Sequence, residues 1–404
     1  MITFIASSTV IFTGIILFLV AILLFAEKQL VSKDKVSLVI NDEKTIEVSP
    51  GSTLLNTLAN YNIFIPSACG GGGTCAMCKC KVLKGGGEIL ATETSHINRK
   101  EAKDFVRLAC QVKVRESMEI HVPEEIFSIK QFTGTVSSND NVATFIKYLR
   151  FDIDHGEILK FKAGGYVQIS VPAKVYDFKD FDIPEEYRGD WDKFNLWKYK
   201  CNVDEPIFRA YSMANHPAEG NKVALTIRIA TPPPRTPDVN PGQCSSYVFS
   251  LNKGDKINFS GPYGEFFIKD TSREMMYVGG GAGMAPMRSH LFHLFHTLKT
   301  PRKVNFFYGA RSLRESFFND EFYDIEKSFE NFKYHIALSE PLPEDNWTGP
   351  VGFIHNVAYK FLDTHEDPTE VEYYLCGPPM MIDAVINMLI NLGVEEEMIA
   401  YDKF

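Results

Sequence analysis

Four cysteines constrain this chain more than any other feature. Cys69, Cys75 and Cys78 stand in the string SACGGGGTCAMCKC, and Cys110 follows in RLACQVKV. Three thiolates in one glycine-rich loop, with a fourth further along the chain, is the ligand arrangement of a plant-type two-iron, two-sulfur cluster. Glycines 70–73 suit such a loop, because glycine reaches positive φ readily and lets amide N–H groups approach sulfur. The spacing is C-x5-C-x2-C, one residue longer than the usual C-x4-C-x2-C. Four thiolates also suit tetrahedral zinc, although zinc ribbons pair two short knuckles and this loop has one. Cys80 shares a strand face with Cys78 and reads as a buried small apolar residue beside the cluster.

A length of 404 residues points to two to four domains. The net charge of −9 argues against a nucleic-acid partner, whose phosphates demand clustered Lys and Arg. Cys201, Cys244 and Cys376 are scattered singly, so the eight cysteines are not a disulfide framework. Thiolate-bound iron fits a reducing compartment, which places the soluble bulk in the cytoplasm.

Residues 2–26 contain no Asp, Glu, Lys, Arg or His. A helix of that length reaches about 37 Å, enough to cross a hydrocarbon core of about 30 Å. No basic side chain precedes it, as a cleaved signal peptide would require. Lys28, Lys33 and Lys35 follow it, so its C-terminal side faces the cytoplasm. The expectation is a single-pass anchor over residues 1–28 in the lipid bilayer. Without ionisable groups it offers no ion path of its own.

Three further domains are expected. Residues 33–128 carry the cysteines, with VSLVI and TIEVS split by the hairpin signal Asn41-Asp42, then the helical stretch TLLNTLANY. Residues 129–269 hold short β-rich runs such as YVQISV, VALTIRIA and KINFS, which predict an antiparallel barrel. An aromatic and acidic insertion, 173–206, is too long for a hairpin loop and reads as a docking or cofactor-covering surface. Residues 270–404 alternate apolar strands (MMYVG, KVNFFYG, KYHIAL, EYYLCG) with helices, as a parallel sheet covered on both faces requires. The last helix, MMIDAVINMLINLG, has Gly393 in C-cap position. The fold class is therefore multidomain, α+β and α/β.

The second and third domains carry their own constellations. In Arg209-Ala210-Tyr211-Ser212 a guanidinium fork suits a pyrophosphate, a ring suits stacking on an isoalloxazine, and a hydroxyl suits a flavin nitrogen. Asn215 is a further polar candidate beside it. Gly242-Gln243-Cys244-Ser245-Ser246 offers N–H groups and hydroxyls for a second phosphate. Gly279-Gly280-Gly281-Ala282-Gly283 follows a strand and leads through Pro286 into a helix, whose N-terminus favours a pyrophosphate. Cys376, Gly377, Pro378 and Met380 stand at a strand's carboxyl end, where open α/β sheets place reactive groups. His290, His293 and His296 drift round a helix rather than forming a metal row, and Glu395, Glu396 and Glu397 read as a solvated face.

Taken in order, CGGGGTCAMC, RAYS, GQCSS, GGGAGMAP and CGPP look like a ferredoxin domain fused to a ferredoxin–NADP reductase-like module. With the anchor and the insertion, the whole chain resembles the family of F subunits of sodium-translocating NADH:quinone oxidoreductases. The resemblance implies a β-grasp 2Fe-2S domain, an FAD-binding barrel and a Rossmann-like NADH-binding domain. It places Arg209 and Ser245 at the FAD phosphates, Tyr211 and Ser212 at the isoalloxazine, and Cys376 beside the nicotinamide C4. Arg311 falls at the adenosine ribose, and Phe404 covers the flavin until nicotinamide displaces it. The implied activity is hydride transfer from NADH to FAD, then single electrons through the cluster to membrane subunits and quinone at a bacterial inner membrane. The alternative is a reductase that supplies an oxygenase, which leaves the anchor unexplained.

Overall fold

The structure is a computed structural model and describes residues 12–20, 22 and 34–403. The expected anchor, 1–28, lies largely outside the described residues. Residues 12–20 are helical with exposed apolar side chains, and no described helix is long and apolar enough to cross a membrane. The chain divides into two compact units, Met1–Ile65 with Gly71–Ser128, and Pro66–Gly70 with Ile129–Phe404.

The first unit is built on strands β1 (Val36–Ile40), β2 (Lys44–Val48), β3 (Lys79–Lys84), β4 (Val106–Leu108) and β5 (Met118–His121), in the order β2-β1-β5-β3-β4. Asn41 and Asp42 take φ of 52° and 59°, the left-handed pair that a tight β1–β2 hairpin demands. β1 and β5 pair in parallel, the other neighbours antiparallel. Helix Leu54–Ala59 starts at Thr53, whose hydroxyl accepts from the Asn56 N–H, and buries Leu54 and Leu58. Inside this unit Arg107 meets the fully buried Glu93 at 2.7 Å and donates to the carbonyls of Gly86, Gly87 and Glu88. That pin holds the loop after β3 against β4, the strand that leads to Cys110.

The second unit begins with an antiparallel sheet of β6 (Lys130–Ala143), β7 (Ile146–Ile153), β8 (Tyr166–Val171), β11 (Ile207–Ser212), β12 (Lys222–Arg228) and β13 (Lys256–Tyr263), ordered β11-β8-β13-β6-β7-β12. A bridge between Met213 and Leu225, with the Ala214 N–H donating to the Ala224 carbonyl at 2.7 Å, joins the two outer strands and closes a barrel. Strands β9 (Lys174–Asp177) and β10 (Lys200–Val203) form a separate ribbon within residues 173–206. Tyr176, Phe178, Phe181 and Trp191 of this insertion are buried in the same apolar cluster as Val167, Ile169, Leu225 and Phe259 of the barrel. These four aromatics face inward and extend the core, where each ring sheds its contact with water, while Phe194 of the same insertion stays exposed.

The remainder is a parallel sheet of β14 (Met275–Gly280), β15 (Val304–Ala310), β16 (Phe332–Leu338), β17 (Glu372–Gly377) and β18 (Ile399–Lys403), ordered β16-β15-β14-β17-β18. Strand alternation sends Tyr277, Phe306, Tyr308 and Tyr374 to one apolar cluster, and Met276, Val278, Phe307, Tyr373 and Leu375 to another. This two-sided burial explains the unbroken apolar runs. Helix Pro379–Asn391 ends as expected, with Gly393 beyond it at φ 86°.

Candidate active site

The carboxyl ends of β14, β17 and β18 converge, and their register puts Cys376 between Gly279 on one side and Asp402 on the other. Cys376 is fully buried, and burial followed by the Asp402 charge pushes its thiol well up. The Ser212 hydroxyl, at the end of β11, donates to Asp402 Oδ2 at 2.8 Å. Burial raises the Asp402 carboxyl above its ordinary value, and the Ser212 bond opposes that shift. The fold therefore gathers two predicted residues, Ser212 and Cys376, around an acid that no local motif marks. Its only signal in the sequence is one carboxylate in the tail YDKF.

Glycine is required where the turn after β14 meets this corner. A Cβ on Gly283 would lie 2.3 Å from the Cys376 carbonyl oxygen and 2.6 Å from the Gly377 nitrogen. Gly281 takes φ 56°, and its carbonyl accepts from the Tyr308 hydroxyl at 3.3 Å, while the Ala282 carbonyl accepts from Thr226 at 2.8 Å. Helix Met284–Phe292 then starts without a side-chain cap and with Pro286 buried in its first turn. Its N-terminal N–H groups and dipole suit a phosphate. Met380 is 86% exposed beside this corner, and Pro378 precedes helix Pro379–Asn391.

On the barrel, Tyr211 turns its phenol into the interior against Cys244, and burial raises the phenol far above its usual range. The same burial pushes the Cys244 thiol up to about 12, against the pull of Tyr211 and Arg209. Ser245 accepts from the Ala230 N–H at 3.1 Å and donates to the Gly242 carbonyl at 3.0 Å, so its hydroxyl shapes the loop. A Cβ on Gly242 would meet Ala230 at 2.6 Å. Helix Gln243–Ser250, with Ser246 buried in its first turn, also begins without a side-chain cap. A cationic Arg209 and an uncapped helix start on one barrel fit a dinucleotide's phosphates.

Other predicted residues have different company. Asn215 donates to the Lys222 carbonyl at 2.8 Å and accepts from the Ala224 N–H at 2.9 Å, so its amide helps close the barrel. Arg311 lies at the surface, 3.6 Å from Glu340. Phe404 lies outside the described residues. His290 is buried, bonded to the Phe266 carbonyl at 3.0 Å, and pushed down to about 4 by that burial, as befits a core histidine.

In the first unit the Cys78 thiol is pushed far up, first by its hydrogen bond with Cys110, then by burial and by Cys75. A thiol crowded by two others in this way fits a cationic cluster, which would hold all of them as thiolates. The Gln111 side-chain N–H reaches Cys110 Sγ at 3.5 Å, a donor aimed at the sulfur of an expected ligand. Gly73 at φ 75° and Ala76 at φ 56° give the loop its left-handed turns, and Cys69 lies just before it in Pro66–Gly70. Cys80 is buried, and burial pushes its thiol up to about 12.

Comparison with known proteins identifies three domains along the chain. The 2Fe-2S iron-sulfur cluster binding domain matches residues 38–115, the oxidoreductase FAD-binding domain 194–268 and the oxidoreductase NAD-binding domain 277–387. The first match resolves the zinc alternative in favour of the cluster. The chain is 57% identical to the F subunit of the Na(+)-translocating NADH-quinone reductase of Marinomonas sp., over 98% of this chain and 97% of that one. It is 55% identical to the F subunit of the reductase of that name in Neisseria meningitidis, over 98% of both. Among solved structures, the Amycolatopsis cytochrome P450 reductase GcoB shares the fold at a TM-score of 0.63 and 22% identity, covering 91% of this chain and 98% of that one. The ferredoxin reductase of carbazole 1,9a-dioxygenase shares it at 0.61 and 24%, covering 92% and 98%.

Proposed function

The chain belongs to the family of F subunits of Na(+)-translocating NADH-quinone reductases, and on that premise we propose that it is the electron-input component of a sodium-pumping NADH:quinone oxidoreductase. It is an oxidoreductase with FAD, NAD and 2Fe-2S domains, and it works within a multi-subunit complex. When bound, FAD accepts hydride from NADH and releases its electrons singly, and the cluster carries them one at a time.

The protein's own side chains supply placement and charge. Arg209 and Ser245, with Gly242, Cys244 and Ser246 at the N-terminus of helix Gln243–Ser250, would hold the FAD phosphates, while Tyr211 and Ser212 would flank the isoalloxazine. The turn 279–283 and Pro286 receive the nicotinamide pyrophosphate, and Gly377, Pro378 and Met380 border it. Arg311 meets the ribose, and Phe404 shields the flavin. Cys69, Cys75, Cys78 and Cys110 ligate the cluster. Residues 1–28 anchor the protein in the inner membrane, beside partner subunits that pass electrons to quinone. The domains then run 33–128, 129–269 and 270–404.

One observation supports the reaction site above all others: the convergence of Ser212, Asp402 and Cys376 at the sheet's carboxyl ends. Asp402 fixes the Ser212 hydroxyl, and the buried Cys376 keeps water from the corner. Anaerobic titration of the yellow protein with NADH tests this reading. Bleaching of the flavin absorbance, followed by a rhombic paramagnetic signal from the cluster, is expected. A flavin that NADH leaves oxidised would refute it, and activity that stays soluble would favour an oxygenase reductase.

A further inference from the structure

We propose that Thr144, Asp190, Trp191, Arg314 and Glu315 form a closed ring that fixes where the turn 279–283 lies against the barrel, and so positions nicotinamide for hydride transfer. The inference rests on the reading that NADH reduces FAD in this chain. It also gives the insertion 173–206 a role.

Thr144 sits at the tip of the β6–β7 hairpin and is fully buried. Its N–H donates to Glu315 Oε2 at 3.3 Å and its hydroxyl donates to Glu315 Oε1. Its carbonyl accepts from Trp191 Nε1 at 2.9 Å. Asp190, next to Trp191 in the insertion, pairs with the guanidinium of Arg314, which neighbours Glu315. The contacts therefore run from the insertion to the hairpin tip, on to the loop after β15, and back to the insertion. All three polar groups of Thr144 are engaged in this ring.

The hairpin tip is also a wall of the nucleotide turn. Ala143 and Ile146, on either side of the tip, belong to the apolar cluster of Met284, Tyr308 and Cys376. Ile146 Cδ1 lies 3.9 Å from where a Cβ of Gly281 would stand. Displacing Thr144 thus displaces the surface on which the turn rests. Among the described residues, Arg314 Nε is buried without a hydrogen-bond partner of its own, so the hold of the ring rests on Thr144, whose three polar groups are all paired, and a buried polar group deprived of its partners loosens the contact it made. Hydride transfer is sensitive to such loosening, because a misplacement of about 1 Å costs roughly 100-fold in rate. The five residues are positioning residues, remote from the reacting atoms.

The test uses full-length, FAD-loaded protein with Thr144→Val, which keeps the shape and removes the hydroxyl, and Thr144→Ser, which keeps the hydroxyl. Amide hydrogen exchange over residues 142–147 and 279–286, without NADH, is expected to be about tenfold faster in Thr144→Val and within about twofold of wild type in Thr144→Ser. Flavin reduction at saturating NADH, counted per bound FAD, is expected to slow about tenfold in Thr144→Val alone, with a primary isotope effect from 4-deuterated NADH. Unchanged exchange at 279–286 overturns the proposal. So does faster exchange with a wild-type rate per bound FAD, which is the signature of a merely structural contact. Wild-type flavin that NADH does not reduce sinks the underlying reading instead, while exchange still decides the ring.

Discussion

The Ser212 hydroxyl donates a 2.8 Å hydrogen bond to Asp402, a residue 190 positions further along the chain. The bond joins the last residue of a barrel strand to the outermost strand of the parallel sheet. It brings a buried carboxyl next to Cys376, its register partner.

Asp402→Asn keeps an acceptor for Ser212 and removes the charge. We expect FAD to be retained and flavin reduction by NADH to slow about tenfold, or about 1.4 kcal/mol of transition-state stabilisation. Because burial raises the carboxyl in the folded state, its contribution to stability is present below the unfolded value of about 4 and is lost as pH rises through the folded value. The variant should therefore melt with wild type at low pH and progressively above it toward neutrality. A constant gap in melting midpoint would refute the assignment.

Glu219 titrates in the opposite sense. Burial raises it, but His216 and Arg288 overcome this and hold the carboxyl down to about 2. Arg288 meets Glu219 at 2.8 Å and Glu321 at 2.7 Å, so it clamps the barrel loop to the nucleotide helix. A depressed carboxyl contributes stability above its unfolded value of about 4.5 that disappears as pH falls toward 2. Glu219→Gln should lose on the order of 3 kcal/mol at pH 7 and progressively less between pH 5 and pH 3. Denaturant unfolding across that range measures it, and a gap independent of pH would contradict the pairing.

Gly283→Ala isolates a contact. The residue has φ −60°, which alanine adopts without strain, so the whole penalty comes from the Cβ placed 2.3 Å from the Cys376 carbonyl oxygen. Overpacking of this kind costs about 1–3 kcal/mol. The KM for NADH should rise roughly tenfold while FAD stays bound, since 1.4 kcal/mol is a factor of ten. Steady-state kinetics with an artificial acceptor decide it, and an unchanged KM excludes the turn from nucleotide binding.

The cysteines separate two electron routes. Cys69→Ala should abolish the paramagnetic signal of the cluster and delivery to quinone, yet preserve NADH oxidation by a small acceptor. Cys80→Ala, at a buried position off the ligand set, should keep the signal and lose about 1–2 kcal/mol from the cavity left behind. Loss of both activities in Cys69→Ala, or loss of the signal in Cys80→Ala, would overturn this order of electron flow and this choice of ligands.

Much of the site was legible because its chemistry is local. The C-x5-C-x2-C loop, the glycine turn after MMYV and the Asn41-Asp42 hairpin each depend on φ and on spacing within a few residues. The apolar runs of the parallel sheet were legible for a similar reason: burial on both faces removes the polar alternation. The inward turn of Tyr176, Phe178, Phe181 and Trp191 was not legible, because composition tells how much apolar area a segment carries and not which neighbour covers it. The bonds of the Asn215 amide to the β12 backbone were likewise not legible, because its partners lie across the barrel seam.

The linear order of residues determined the cofactor motifs and the succession of sheet types, since both rest on backbone conformation and periodicity over short spans. Barrel closure at Met213 and Leu225, the meeting of Ser212 with Asp402 and the ring around Thr144 were decided by tertiary structure alone. Each joins groups far apart in the chain whose partners are selected by burial: a polar atom removed from water must find whatever donor or acceptor the packed fold brings within reach.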